Sequence, residues 1–158
     1  MSFVGIIAKR KKEKEFEKIK KVVYPNELIF ISEKNLDNIK NVKFETIIVQ
    51  DKILSRETFE KIVSNCKYLI INSDSVDWNV IKKEEPLAII TYGYHSKDTI
   101  TFSSLTEKNI QICLQRNIPT QKGEWIEPQE ISLSKTKNNE IDDLLVYGTL
   151  KILYDKRM

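Results

Sequence analysis

Glycine is scarce in this chain, with four among 158 residues, and that scarcity excludes the familiar phosphate-binding loops. A loop ending in Gly-Lys-Ser/Thr needs glycines so that backbone amides can close on a triphosphate, and a lysine and a hydroxyl to hold phosphate and magnesium. No such sequence occurs, and the stretch after the first apolar run, AKRKKEKEFE (residues 8–17), has no glycine at all. Cysteine is sparser still. Cys66 and Cys113 lie inside apolar patterns, where a free thiol behaves as a small hydrophobe, and neither has a second ligand at metal-site spacing. No disulfide, metal or other cofactor is expected. Long apolar runs are missing as well. Nothing approaches the roughly 18 consecutive apolar residues of a membrane helix, and FVGIIA (residues 3–8) is too short for a signal-peptide core. The expected location is cytoplasmic, without membrane contact.

Charge is plentiful but nearly balanced, at +3 overall. The run KRKKEKEFEKIKK (residues 9–21) concentrates eight basic side chains with three glutamates. Phe16, Ile19 and Val23 recur at helical spacing within and just after it, so the run reads as a helix with a solvated charged face. No aromatic residues interleave with the basic ones to stack bases, so nucleic acid is not an expected partner.

The first half of the chain alternates. Short β-branched runs (FVGIIA, ELIFIS, FETIIVQ, YLIIN) are separated by charged stretches of helical period. Runs apolar on nearly every residue, such as Ile47 to Val49 and Leu69 to Ile71, suit strands buried on both faces, as in a parallel sheet covered by helices. Ser55 is placed to cap a helix carrying Phe59, Ile62, Val63 and Cys66 toward the sheet. After Pro86 the rhythm changes. After the run LAIIT, whose all-apolar LAII suits a central strand, there is no room for a helix, and TITFSS, IQICLQR and WIEPQEISL read as an antiparallel meander, with Pro128 splitting the last run or confining it to an edge. A final helix over residues 139–154 carries Ile141, Leu144, Leu145, Gly148 and Ile152 on one face, with Gly148 marking a close approach to the sheet. The expected fold is one α/β domain over residues 1–158, Rossmann-like and three-layered. Its strand–helix half covers residues 1–85, and residues 86–158 supply the meander and C-terminal helix.

The order YLIINSDSVDWNVI, LAIITYGY, DTITFSSLTEKNIQICLQ, a turn glycine and the closing NNEIDDLLVYGTLKIL resembles the later half of the central domain of the Mur ligases, over residues 68–153. In that family a strand ends in an Asn-x-Asp loop beside the adenine of ATP, and the next strand ends in an aromatic–glycine pair. The resemblance implies a nucleotide contact at Asn72 and Asp74, with Tyr92 and Gly93 at the place of the pair. An asparagine amide can donate to and accept from a purine edge together. The departures are as informative. The phosphate loop is absent, and so are the family's magnesium-binding carboxylate and its separate ligase domain, so ATP-driven amide ligation is not expected.

Other chemistries fit less well. Asp51 and Lys97 follow the third and fifth apolar strands, as in response-regulator receivers, but Ala8, Lys9 and Arg10 stand where a receiver needs acidic residues for magnesium. His95, Ser96 and Asp98 are neighbours in one loop, a poor basis for a hydrolytic relay, and no nucleophile elbow is present. Two expectations follow. The first is a non-catalytic binding or regulatory protein acting through an unidentified protein partner. The second is a nucleotide- or sugar-nucleotide-binding protein or enzyme, with a cleft at Asn72, Asp74, Tyr92, Gly93, His95 and Lys97, at strand ends where open α/β sheets bind ligands. A homodimer through an edge strand around Trp125 is a further option. The stretch TYGYHSKDTITFSS (residues 91–104) reads as a corner, with Gly93 supplying a positive φ.

Overall fold

The β-branched runs form the strands. A computed structural model describes residues 2–51, 55–64, 66–74 and 88–154. Strands β1 (Phe3–Ile7), β2 (Glu27–Ile31), β3 (Phe44–Val49), β4 (Tyr68–Asn72) and β5 (Ala88–Tyr92) pair in parallel in the order β2-β1-β3-β4-β5. Ile48, Ile70 and Ile90 pack on one face, while Ile47, Val49, Leu69 and Ile71 pack on the other. Both faces are therefore core, which explains why these runs do not alternate with polar residues. Each fully buried isoleucine contributes roughly 1.5–3 kcal/mol relative to exposure.

Helices cover both faces. Helix α1 (Glu13–Val23) lies on the first face with Ile19 and Val23 buried, joined by α4 (Ile141–Tyr154). The short α2 (Leu36–Ile39) and α3 (Arg56–Val63) serve the second, with Ile39, Phe59 and Val63 buried. Ser55 caps α3, its Oγ accepting from the Thr58 N–H at 3.2 Å. The segment 75–87, which includes Pro86 and most of the link from the Asn72 loop to β5, lies outside the described residues. Among the described residues no helix is long and apolar enough to cross a membrane.

The meander is antiparallel with one exception. Strand β6 (Ile100–Leu105) joins the parallel sheet through a single pair, Tyr92 with Ile100, where β5 ends and β6 begins. From there β7 (Asn109–Leu114) and the later β10 (Gln129–Ser134) pair antiparallel, completing an eight-stranded sheet. Ile110, Ile112 and Leu114 are buried while the residues between them are wetter. The third run does split at Pro128. Trp125–Ile126 (β9) pairs with Ile118–Pro119 (β8) in a separate ribbon, so the edge of the main sheet is β10 and not the Trp125 segment. The physical reason is that proline cannot donate to a ladder, so the pairing must break there.

Helix α4 sets the position of everything on its face. Eight of its fourteen residues are buried, which makes it a core helix packed between α1 and the sheet. A Cβ on Gly148 would run into the Ile112 side chain, so the glycine is required by contact distance. At the far end the Tyr154 hydroxyl donates to Glu45 Oε2 at 2.9 Å and lies 2.5 Å from Thr46 Oγ1, fastening the helix to the beginning of β3. Gly148→Val is expected to cost about 1–3 kcal/mol in urea unfolding, as overpacked cores do, and Ile112→Ala in the same chain should recover part of the loss.

Candidate functional site

The strand order creates a crevice. From β1 the chain crosses to β2 on one side and then returns to β3 on the other, so the loops leaving β1 and β3 diverge at the carboxyl edge of the sheet. Ligands in open α/β folds sit at such switch points. A cleft of about 420 Å³ lies there. Ala8, Lys9, Arg10 and Lys12 reach it from the segment after β1, and Gln50 and Asp51 from the end of β3. Asn72 and Tyr92 close it from β4 and β5, and Glu140, Asp142 and Asp143 from the start of α4.

Lys12 ties two of these elements together. Its Nζ donates to Asp143 Oδ2 at 2.8 Å and to Glu140 Oε2 at 2.9 Å, linking the entrance of α1 to that of α4. Gln50 donates to the other Asp143 oxygen at 3.0 Å, so this nearly buried carboxylate is satisfied on both sides. Burial works against the Lys12 charge, but the hydrogen bonds and charges of Asp143 and Glu140 outweigh it and raise its pKa. Lys12 in turn holds Glu140 below the ordinary carboxylate range. The acidic first turn of α4 also sits at the positive end of the helix dipole.

The other carboxylates are held more loosely. Asp51 Oδ2 accepts from the Lys9 backbone N–H at 2.9 Å, and Asp142 Oδ2 accepts from Asn72 Nδ2 at 3.3 Å. Among the described residues neither carboxylate has a lysine, arginine or histidine within ion-pair distance. Beneath them lies Tyr92, fully buried, whose hydroxyl has no hydrogen-bond partner among the described residues. Burial first, and then the charges of Asp142, Asp143 and Asp51, push this phenol well above its usual pKa, so it stays protonated. The neighbouring Asn72 amide opposes the shift without closing a hydrogen bond.

The residues singled out in the sequence divide into three groups. Asn72 and Tyr92 line the cleft. Asp74 and His95 form a pair at 3.1 Å between the β4 and β5 loops, both exposed. This pairing takes the imidazole to Asp74, while Asp98 accepts from the His95 backbone N–H, so His95, Ser96 and Asp98 form no relay. Gly93 and Lys97 belong to the corner and do not line the cleft. The Lys97 carbonyl accepts from the Arg116 guanidinium, and Gln115 Nε2 donates to the carbonyls of Asp98 at 2.6 Å and Ser96 at 3.2 Å.

The expectation for Gly93 is corrected here. Among the described glycines only Gly123 has a positive φ. Gly93 is needed because a Cβ there would lie 2.6 Å from both Asp98 Oδ2 and Ser73 Oγ. The cleft residues not anticipated as a site are Lys9, Arg10, Lys12, Gln50, Glu140, Asp142 and Asp143, together with Asp51. Their signals were an acidic pair opening a helix and polar residues directly after apolar strands.

These features define a three-layer α/β protein with a polar cleft at its switch point. No family model and no curated protein matches the chain.

Two outcomes follow. Lys12→Met should cost on the order of 1–2 kcal/mol, a discounted value because the lysine is one-third exposed. Glu140, depressed below 4.5, contributes stability above that pH and loses it on acidification. The variant should therefore show a shallower loss of stability below about pH 4.5 in urea titrations. Gly93→Ala should lower stability by about 1–3 kcal/mol, with His95→Ala nearly silent in thermal unfolding.

Proposed function

We propose that this protein is a non-catalytic binding or regulatory protein that takes a small polar ligand in the switch-point cleft. Nucleotides and sugar nucleotides are the leading class. The observation that carries this reading is the Tyr92 hydroxyl, buried and without a hydrogen-bond partner among the described residues, beside a cleft of about 420 Å³. A buried polar group without a partner costs about 1–3 kcal/mol, and such groups concentrate where function requires them. The lining adds support, since it offers cationic Lys9 and Arg10 as well as carboxylates to a polar ligand. Three cations against four carboxylates favour a ligand with one anionic group over a triphosphate, which would bring excess negative charge. Among the described residues the lining contains no Ser, Thr, Cys or His to serve as a nucleophile–base pair, which favours binding over covalent catalysis. The resemblance to the Mur ligase central domain points the same way, because it too places a ligand contact at Asn72.

A protein partner is a second reading, favoured by β10. This strand ends the sheet, and its outer backbone is open to strand addition by a partner or a second copy.

Thermal shift and calorimetry against nucleoside monophosphates and sugar nucleotides test the first reading. At a hundredfold excess over Kd a true ligand should stabilise the protein by about 2.7 kcal/mol. Tyr92→Phe should leave the free protein as stable or more stable, because it removes an unsatisfied group, while weakening ligand binding severalfold. Flat melting curves across the panel would defeat the proposal.

A further inference from the structure

We infer that Asp142 and Tyr92 form an ammonium site in the cleft, and that the ligand carries a primary amine held by these two residues together with an anionic group that meets Lys9 and Arg10. This rests on the reading of the cleft as a ligand site and, within it, selects aminated phosphates and amino sugars over nucleotides, whose bases carry no ammonium group.

Asp142 carries the inference. It is partly buried at the first turn of α4, and its two hydrogen-bond partners, the Asn72 amide at 3.3 Å and the Tyr94 hydroxyl, are both neutral. Asp143, by contrast, has both a lysine and a glutamine. A carboxylate drawn partly out of water without a cation is costly, and a charge-assisted hydrogen bond from an ammonium would supply the missing partner. The second and independent observation is Tyr92. Its hydroxyl is fully buried, has no hydrogen-bond partner among the described residues, and lies within the field of Asp142, Asp143 and Asp51. A phenol that keeps its proton still has oxygen lone pairs to accept from an N–H. Negative charges gathered around an empty acceptor select a cation over a neutral alcohol.

A metal ion is the obvious competitor. Among the described residues no group of three His, Cys, Asp or Glu side chains is placed to hold one. An ammonium needs only acceptors, without the close shell of oxygens that divalent ions demand. The neighbouring cations argue for a bipolar occupant. Lys9 and Arg10 are exposed and make no ion pair among the described residues, while Lys12 is committed to Glu140 and Asp143. Amino sugar phosphates and amino alcohol phosphates have this polarity.

Matched probes test it. Glucosamine 6-phosphate and O-phosphoethanolamine are compared with glucose 6-phosphate and ethylene glycol phosphate by amide NMR titration, which detects millimolar binding. The amines should bind at least tenfold more tightly than their hydroxyl counterparts, with shifts centred on residues 72, 92 and 142. Asp142→Asn should abolish the preference, and Tyr92→Phe should reduce it. Equal binding of amine and hydroxyl probes, a preference that survives Asp142→Asn, or failure of both amines to bind would overturn the inference. Nucleotide binding that is indifferent to Asp142→Asn would overturn it too, while leaving the cleft itself intact as a ligand site.

Discussion

The packing of α4 against the sheet is the constraint on which the remainder of the structure depends. A helix with eight buried residues cannot find that much cover at a surface, and the fold gives it α1 on one side and the β5-to-β7 region on the other. The fit is closest where Gly148 meets Ile112. Fourteen residues span roughly 21 Å, so a helix tied at Tyr154 to the start of β3 reaches the opposite edge of the sheet with its first turn. Its acidic first turn therefore arrives at the carboxyl ends of the strands. The cleft's carboxylates are a consequence of helix length and anchoring.

That arrival has to be neutralised, and the treatment is unequal. Asp143 is buried and fully paired, and its partner Lys12 sits 131 residues earlier at the mouth of α1. The pair joins the first and last helices across the switch point. Pairs of this kind contribute modestly when judged against an apolar alternative, but breaking one leaves a charge stranded. One residue earlier, Asp142 has only the neutral Asn72 and Tyr94 side chains among the described residues, and the Tyr92 hydroxyl below it has no partner there. Among the described residues, a core that satisfies Asp143, Thr149 and Tyr68 through close hydrogen bonds has left one phenol unsatisfied, next to the cleft at the strand ends.

Much of the fold was legible because each signal was local. Unbroken apolar runs gave strands buried on both faces, Ser55 gave a cap, Pro128 gave a split and Gly148 gave a contact. The site was legible only where it followed from a strand end, as at Asn72 and Tyr92. Lys9 to Lys12 read as part of a solvated helix, since nothing local reveals that the turn before α1 faces the entrance of α4. That proximity comes from the β2-β1-β3 order, a property of the assembled sheet. Gly93 shows the same limit. Its place at a corner was readable, but the reason for it lies in Ser73 and Asp98, which approach from separate loops.

The corner and the cleft are neighbours with different duties. Residues 93–99 are braced by backbone carbonyls held by Gln115 and Arg116, by the Thr99 N–H on Thr91 Oγ1 at 3.1 Å, and by the buried Asp98 carboxylate on the His95 N–H at 3.0 Å. These groups are spent on shape. Asn72 is half spent, because its Oδ1 accepts from the Asp74 N–H at 3.0 Å and its amide serves Asp142. An asparagine has two donors and two lone pairs, so one of each is left, enough to assist recognition but not to direct it. Among the described residues of the cleft, hydrogen-bonding capacity that the fold does not use is concentrated in the Tyr92 hydroxyl and the side chains of Lys9 and Arg10, while Asp142 has neutral partners only. Specificity in a pocket comes from a few polar groups whose partners are not already supplied. The selectivity of this cleft therefore rests with residues from β5, α4 and the loop after β1, while the loop that carries the only histidine holds the frame in which they meet.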